Sequence, residues 1–301
     1  MTRASDLQRA VESNGWDGEW YLRAIDDDGR PWGSVSNDEC RIDSIAQSWA
    51  VLSQAGDPER ARRAVDAAAH HLVRDDDRLV RLLWPAFDTT PREPGYIKAY
   101  PPGIRENGGQ YSHAAAWLGM AFAHLGDGDR AKEIFDRINP VTHARNRHEA
   151  ERYRTEPYVL AADIAGNAPH VGRGGWSWYT GAAAWTWRLA VEHMLGLRLV
   201  GGDLRISPCL PTQWEGFEAR ITRPTGALVI RVEDPDRLGS GDVTITINGE
   251  RRIRGTVTFP TDGTTSEVQV RICPSRSKDD RGVDDEPEAT SGNARAGLTA
   301  P

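Results

Sequence analysis

Apolar residues recur at helical spacing as far as Gly196 and at alternate positions beyond it, so the pattern divides the chain into an α-rich part followed by a β-rich part. Ile42, Ile45, Trp49 and Leu52 mark one helix. Gly56-Asp57-Pro58 ends it and opens another, with Asp57 as N-cap and Pro58 in the first turn, where its missing N–H is harmless. Ala61, Ala64, Val65, Ala68 and Leu72 form the stripe of this second helix, and the pair predicts an antiparallel helical hairpin. Ala114, Trp117, Leu118, Ala121 and Leu125 predict a third helix, and Ala131, Ile134, Phe135 and Ile138 a fourth. Trp178, Ala182, Trp185 and Leu189 carry a last long helix, stopped around Gly196. Near the start, Ser5 with Gln8 is a capping-box signal for a short helix to about Glu12, and 16–36 reads as loop or short strand.

Two long excursions interrupt the helices. In 75–109 no helical period survives, and Pro85, Pro91, Pro94, Pro101 and Pro102 exclude a long helix. In 139–175 lie the basic run His143 to Arg154 and a predicted short helix near Tyr158 to Ile164. Beyond Gly196 the runs 197–199, 204–206, 228–232, 243–247, 256–259 and 268–272 alternate and predict an antiparallel β unit, with turns such as Asn248-Gly249 between strands. The expected organisation is therefore an α domain over 1–196, a β domain over 197–274 and a charged, disordered tail over 275–301.

The helical part repeats. Ser44-Ile45-Ala46-Gln47-Ser48-Trp49, Ser112-His113-Ala114-Ala115-Ala116-Trp117 and Thr180-Gly181-Ala182-Ala183-Ala184-Trp185 follow one another at intervals of 68 residues. Gly56-Asp57 with Arg60-Ala61 recurs 70 residues later as Gly126-Asp127 with Arg130-Ala131. A period of this length suits two helices plus an excursion loop, the unit of an α/α toroid, and three copies predict about three hairpins.

Composition narrows the function classes. A net charge of −7 and a pI near 5.7 argue against general nucleic-acid affinity. No segment has the apolar length needed to cross a bilayer, and Met1 to Asp6 lacks the apolar core of a signal peptide, so a cytoplasmic protein is expected. Cys40, Cys209 and Cys273 are an odd number at unrelated spacings, which points to a reducing compartment and to neither a disulfide framework nor a metal site. Eleven tryptophans stand against five phenylalanines, and indole faces are what sugar rings stack on. The clustering of Trp16, Trp20, Trp32, Trp176 and Trp178 near glycine loops points toward saccharide.

The stretch Arg105 to Trp117 carries candidate chemistry. Gly108-Gly109 leads toward a helix start, where unpaired N–H groups and the dipole favour an anion, and His113 in the first turn adds a donor. Gly174-Gly175 through Gly181 echoes it, with His170 and Arg173 beside the loop as further candidates. Ordinary structural roles compete: Ser112 and Thr180 could cap helices, and the glycines could simply turn the chain. His70, His71, His124 and His193 fall within helices and read as packing or surface residues, and Asp26-Asp27-Asp28 as a solvated turn.

These residues resemble glycoside hydrolase family 94, the inverting glycoside phosphorylases, and especially the carboxy-terminal module of cyclic β-1,2-glucan synthases. The resemblance is carried by Gly15-Trp16-Asp17-Gly18-Glu19-Trp20-Tyr21, by Asp38 through Trp49, by Gly95-Tyr96-Ile97-Lys98 through His113, and by His170-Val171-Gly172-Arg173-Gly174-Gly175-Trp176 through Gly181. It implies an (α/α)6 toroid followed by a small β domain, and inverting phosphorolysis of β-linked glucosides, with β-1,2-glucan as the expected substrate. Inorganic phosphate is the implied co-substrate, with no other cofactor. By the same resemblance His113, Thr180 and Gly181 hold the phosphate, and Arg105, Glu106, Tyr100 and Trp176 contact sugar. Arg105 stands where many relatives carry a lysine, and its wider donor fork means that the resemblance does not fix the acceptor contacts.

A phosphorylase needs one general acid, because phosphate replaces the water and its base. In the family that acid is an aspartate in an Asp-Trp-Asn-Asp-Gly motif, and no such run occurs in this chain. Gly15-Trp16-Asp17-Gly18 matches a separate, later family segment, so Asp17 is not assigned as the acid. The acid is expected upstream of these residues, and three hairpins are half of a six-hairpin ring. The expectation is the carboxy-terminal half of a phosphorylase module, inactive alone and completed by another segment or a second chain. The alternatives are a non-catalytic carbohydrate-binding or partner-docking fragment, and a toroid hydrolase using Asp38, Glu39 or Asp43.

Overall fold

The computed structural model describes residues 2–178, 180–252 and 256–275. The expected 275–301 tail falls, Ser275 apart, outside these residues. Helix α1 spans Arg3–Asn14 and starts from Thr2, three residues before the expected capping box, with no side-chain cap. Helices α2 (Ser44–Leu52) and α3 (Pro58–Leu72) form the first hairpin, and α4 (Ser112–His124) and α5 (Gly128–Ile138) the second. Short helices α6 (Pro140–His143) and α7 (Arg147–Tyr153) follow in the second excursion, and α8 (Thr180–Trp187) continues as a π-helical turn over Arg188–Met194.

The capping signals act as the sequence implies. The Asp57 carboxylate accepts from the amides of Glu59 and Arg60, and the Asp127 carboxylate from that of Arg130. Each satisfies donors the first turn would otherwise leave open. The third copy differs from the first two: after Met194 the chain passes into strand Leu197–Val200, so α8 has no hairpin partner of its own among the described residues. The helices present two hairpins and one further helix, rather than three hairpins.

The 68-residue repeat becomes a physical contact. Trp49 meets Trp117 edge-on at 5.5 Å between ring centroids, and Trp117 meets Trp185 in the same way at 5.4 Å. One indole from each of α2, α4 and α8 thus forms a continuous file, in the geometry that sets the positive edge of one ring against the negative face of the next. Trp117 and Trp185 of this file pack against the largest core cluster, which includes Leu118, Phe122, Ile134 and Leu189. Close approach there needs a small residue: a Cβ on Gly119 would sit 2.8 Å from Leu189 Cδ2.

The excursions hold short strands that periodicity does not reveal. Gln110–Tyr111 pairs with Asp163–Ile164, which pairs in turn with Gly174–Gly175. The helix expected near Tyr158 to Ile164 does not form. The backbone groups of that segment serve neighbours instead: Ser112 N–H donates to Ala162 O, Ser112 Oγ to Ala161 O at 2.6 Å, and Ala162 N–H to Trp176 O. Ser112 therefore ties α4 to this strand and does not cap its own helix.

The β unit packs around Leu228, Ile230, Val232, Val268, Val270 and Ile272. Its larger sheet runs in the order Gly216–Arg223, Gly226–Glu233, Thr265–Cys273, Asp242–Ile247, Glu250–Arg252. Three of its four pairings are antiparallel, but Gly226–Glu233 and Thr265–Cys273 pair in parallel, which corrects the expectation of a wholly antiparallel unit. The unit is fastened to the α4–α5 turn: Ser240 Oγ donates to Gly126 O at 3.0 Å, and a Cβ on Gly128 would collide with Leu210 O at 2.0 Å.

Candidate functional site

The small sheet 110–111/163–164/174–175 brings the two glycine loops together. His113 lies in the first turn of α4, one residue after Ser112, and Gly181 lies in the first turn of α8. A Cβ placed on Gly181 would fall 2.4 Å from His113 Nε2, so the imidazole edge rests directly against the start of α8. His113 stacks on Tyr111 at 5.2 Å and meets Trp117 at 6.5 Å. Burial holds its pKa below the usual histidine range, which keeps the ring neutral, and its Nδ1 is enclosed without a hydrogen-bond partner among the described residues. Thr180 is the first residue of α8 and is exposed. The imidazole from the first turn of α4 thus meets the start of α8.

Arg105 lies beside this point in a left-handed conformation, φ 49°. Its guanidinium carbon is 5.3 Å from the Tyr100 ring centroid and 5.0 Å from that of Trp176. The separation from Glu106 Oε2 is 3.7 Å, an ion-pair distance too long for a hydrogen bond. Arg105 Nε and Glu106 Oε2 are both enclosed and without hydrogen-bond partners among the described residues. The structure thus gathers Tyr100, Arg105, Glu106, His113, Trp176 and Gly181 around one region. Asn107 instead staples the loop, because its amide exchanges hydrogen bonds with the Phe87 backbone and donates to Tyr100 O.

The tryptophans divide. Trp20 is buried and its indole N–H is taken by Gly33 O and Arg41 O, Trp32 is buried beneath Arg92, and Trp16 packs against Tyr21 under Arg60. Trp176 and Trp178 are 57% and 68% exposed, so of the five these two present indole surface that a sugar could cover. His170 and Arg173 are exposed at the loop surface.

Two of the three acids of the cluster, Asp43 and Glu39, are held in structural bonds, while Asp38 is exposed. Asp43 is 1% exposed, caps α2 through the Ile45 amide and pairs with Arg23. Glu39 accepts from the amides of Asp88, Thr89 and Thr90, which holds its carboxyl below the usual range despite burial. Sequence reading passes over Asp163, which is 4% exposed on the central strand of the small sheet, and whose carboxyl is pushed up by burial. Its only trace in the sequence is an acid inside a run of small apolar residues.

Among the described residues no three His, Cys, Asp or Glu side chains form a metal-holding group, and no helix is long and apolar enough to cross a membrane. Burial pushes the free Cys40 and Cys209 thiols up to about 12, which makes them unreactive.

Comparison with known proteins bears on the same residues. The chain is 54% identical over 215 residues to the cyclic β-(1,2)-glucan synthase NdvB of Rhizobium meliloti, covering 71% of this chain and 8% of that protein. It is 31% identical over 272 residues to the N,N'-diacetylchitobiose phosphorylase of Vibrio proteolyticus, covering 89% and 33%. With the solabiose phosphorylase of Paenibacillus borealis the identity is 32% over 267 residues, covering 88% and 34%. The chain thus spans about a third of the phosphorylases and less than a tenth of the synthase. A family GH92 α-mannosidase structure from Bacteroides thetaiotaomicron aligns with a TM-score of 0.32 at 12% identity, over 88% of this chain and 30% of that one. The model of the glycosyl hydrolase 94 superfamily catalytic domain matches residues 1–196, and the chain belongs to that family of glycoside phosphorylases.

Proposed function

We propose that this chain supplies the phosphate-holding half of a glycoside phosphorylase centre acting on β-linked glucosides, with β-1,2-glucan as substrate. The observation that carries the reading is the meeting of His113 Nε2 with Gly181 at the start of α8, across 68 residues of sequence. Neutral imidazole, the Thr180 hydroxyl and the α8 amides donate to the phosphate without neutralising its charge, so its free oxygen stays nucleophilic toward the anomeric carbon. Arg105, Glu106, Tyr100 and Trp176 hold the acceptor sugar, with the exposed indole as a stacking surface. The substrate follows the glucan that the Rhizobium meliloti synthase makes, the relative with the highest identity among those above.

The general acid comes from outside these residues. The helices α2, α4 and α8 form one arc of a six-hairpin ring, and the remaining hairpins stack where α8 leaves an apolar face open. That face is a groove of about 670 Å³ whose lining includes Val141, Tyr158, Ala183, Ala184 and Trp187. Exposed apolar surface of this kind marks a packing site for more chain or for a second chain.

Calorimetric titration with inorganic phosphate tests the reading. The chain is expected to bind phosphate, and His113→Ala to weaken it by about tenfold or more, the loss of one hydrogen bond to a charged group. Phosphate binding that is absent, or indifferent to His113, refutes it. Saccharide binding through Trp176 and Trp178 without phosphate binding would favour a non-catalytic carbohydrate-binding module.

A further inference from the structure

We propose that the cleft where two helix ends meet the β unit binds a phosphorylated sugar through Arg198 and Arg205, at a site separate from that of His113. The cleft encloses about 450 Å³, and its lining includes Gln54, His124, His193, Arg198, Arg205 and Ser207. His124 is the last residue of α4, eleven positions after His113 and so roughly 16 Å from it along the helix axis. His193 belongs to the π-helical turn that extends α8. Gly196, at φ 69°, then turns the chain into strand Leu197–Val200, which pairs with Asp203–Ile206. In that pairing Arg198 stands directly opposite Arg205, and Arg205 stands opposite Thr256 on the next strand. Directly opposite residues share a face, with Cβ atoms about 5 Å apart, so the two guanidinium groups enter the cleft side by side.

Like charges opposite one another weaken a sheet unless an opposite charge joins them. None does so here, since neither arginine has an ion pair or a hydrogen bond among the described residues. Glu192 lines the cleft, but its carboxylate is taken by Arg188 Nε at 2.8 Å. Asp203, opposite Val200 on the same face of the sheet, stays outside the lining. Carbonyls at the two helix ends, which could otherwise hold the arginines, accept from the main chain instead. Ala121, Phe122 and Ala123 accept from the amides of Leu125, Asp127 and Gly126, and Ala190 and Met194 from those of Leu195 and Cys209. Two unmatched guanidinium forks suit a doubly charged oxyanion, to which each can donate a pair of hydrogen bonds. A volume of this size holds a small molecule and not only a bare ion. Gln54, Ser207 and the two histidines offer the body of that molecule donors and acceptors, as hydroxyl groups require. The walls are tied by main-chain bonds, Ser207 N–H to Gly196 O at 2.9 Å and Cys209 N–H to Met194 O at 2.8 Å, so the cleft is preformed.

Calorimetric titration of the full chain with glucose 6-phosphate, inorganic phosphate and glucose, beside thermal melting, tests the assignment. Glucose 6-phosphate is expected to bind, and Arg198→Gln and Arg205→Gln are each expected to weaken it about tenfold or more, the loss of hydrogen bonds to a charged group. His113→Ala should change its affinity by less than about twofold, since distant sites do not couple. In the His113→Ala chain, inorganic phosphate and glucose should each bind at least about tenfold more weakly than glucose 6-phosphate, because each engages half of the site. Both arginines are exposed, so the variants keep the fold, and the ligand-free Tm should hold or rise as the repulsion between the pair is relieved. Absence of glucose 6-phosphate binding overturns the proposal. So does binding that ignores both arginines, that falls with His113, or that glucose or inorganic phosphate matches in the His113→Ala chain. A lower ligand-free Tm in either arginine variant overturns it as well, because the pair is then held by contacts within the fold.

Discussion

Replacing Gly181 by alanine adds one methyl group at the start of α8. In an exposed helix the change stabilises by about 0.5–1 kcal/mol, because glycine gives up more backbone entropy on folding. Here the new carbon would lie 2.4 Å from His113 Nε2, 3.4 Å from Cε1 and 3.5 Å from Cδ2, aimed at the tip of the ring. Carbon and nitrogen at that separation are about 1 Å inside a favourable contact. The ring is confined by Tyr111 against its face and Trp117 toward its edge, so it relieves the clash by turning Nε2 away from α8. A phosphate oxygen held there loses a hydrogen bond worth about 1.5–3 kcal/mol, which weakens binding roughly ten- to a hundredfold. Calorimetric titration with inorganic phosphate, run beside thermal melting, separates lost affinity from lost fold. Gly181→Ala that binds phosphate as tightly as the parent refutes the reasoning. A His113→Ala effect that adds in full on top of Gly181→Ala also refutes it, since residues sharing one ligand couple.

Two further expectations concern stability. Asp43→Ala removes the α2 cap and leaves Arg23 unpaired in a largely buried position, so urea unfolding should show a loss of about 3–5 kcal/mol. Asp43→Asn, which can keep the cap, should recover part of it. The second expectation is a weakening of the fold as pH falls from about 6.5 toward 4. Burial depresses His193 to about 4 from its ordinary value of 6.5, so the unfolded chain takes up a proton that the folded chain refuses. His113, His143 and His71, depressed as well, act in the same direction. His193→Gln should flatten the acid side of a plot of Tm against pH, and an unchanged slope would show that the imidazole meets water in the fold.

The helices are legible in the sequence because their evidence is local. Asp57-Pro58 and the stripe from Ala61 to Leu72 specify a start and a buried face within about four turns, and the structure follows both. The spacing of Trp49, Trp117 and Trp185 announces a repeat, and the indole file shows that it records contact. Residues 158–164 mislead because Leu160-Ala161-Ala162 favours a helix locally, while the bonds to Ser112 and Trp176 that decide the matter come from distant residues. The parallel pairing of Gly226–Glu233 with Thr265–Cys273 stays hidden because alternation fixes a strand's inward face and not its neighbour's direction. Asp163 escapes for a related reason. A single buried acid has no period, and its setting emerges only when Tyr111 and Gly175 are assembled around it.

His113 and Gly181, 68 positions apart, meet only after the chain between them has folded, and the small sheet that joins their loops is two residues deep on each strand. Closing a loop of that length costs entropy before any contact rewards it. The imidazole pocket is therefore a late product of folding, absent from a chain whose α8 has not docked. A ligand bound there acts as a clasp on α8, drawing stability from mass action as its concentration rises. Occupancy of the pocket and closure of the helical arc are one equilibrium seen from two ends.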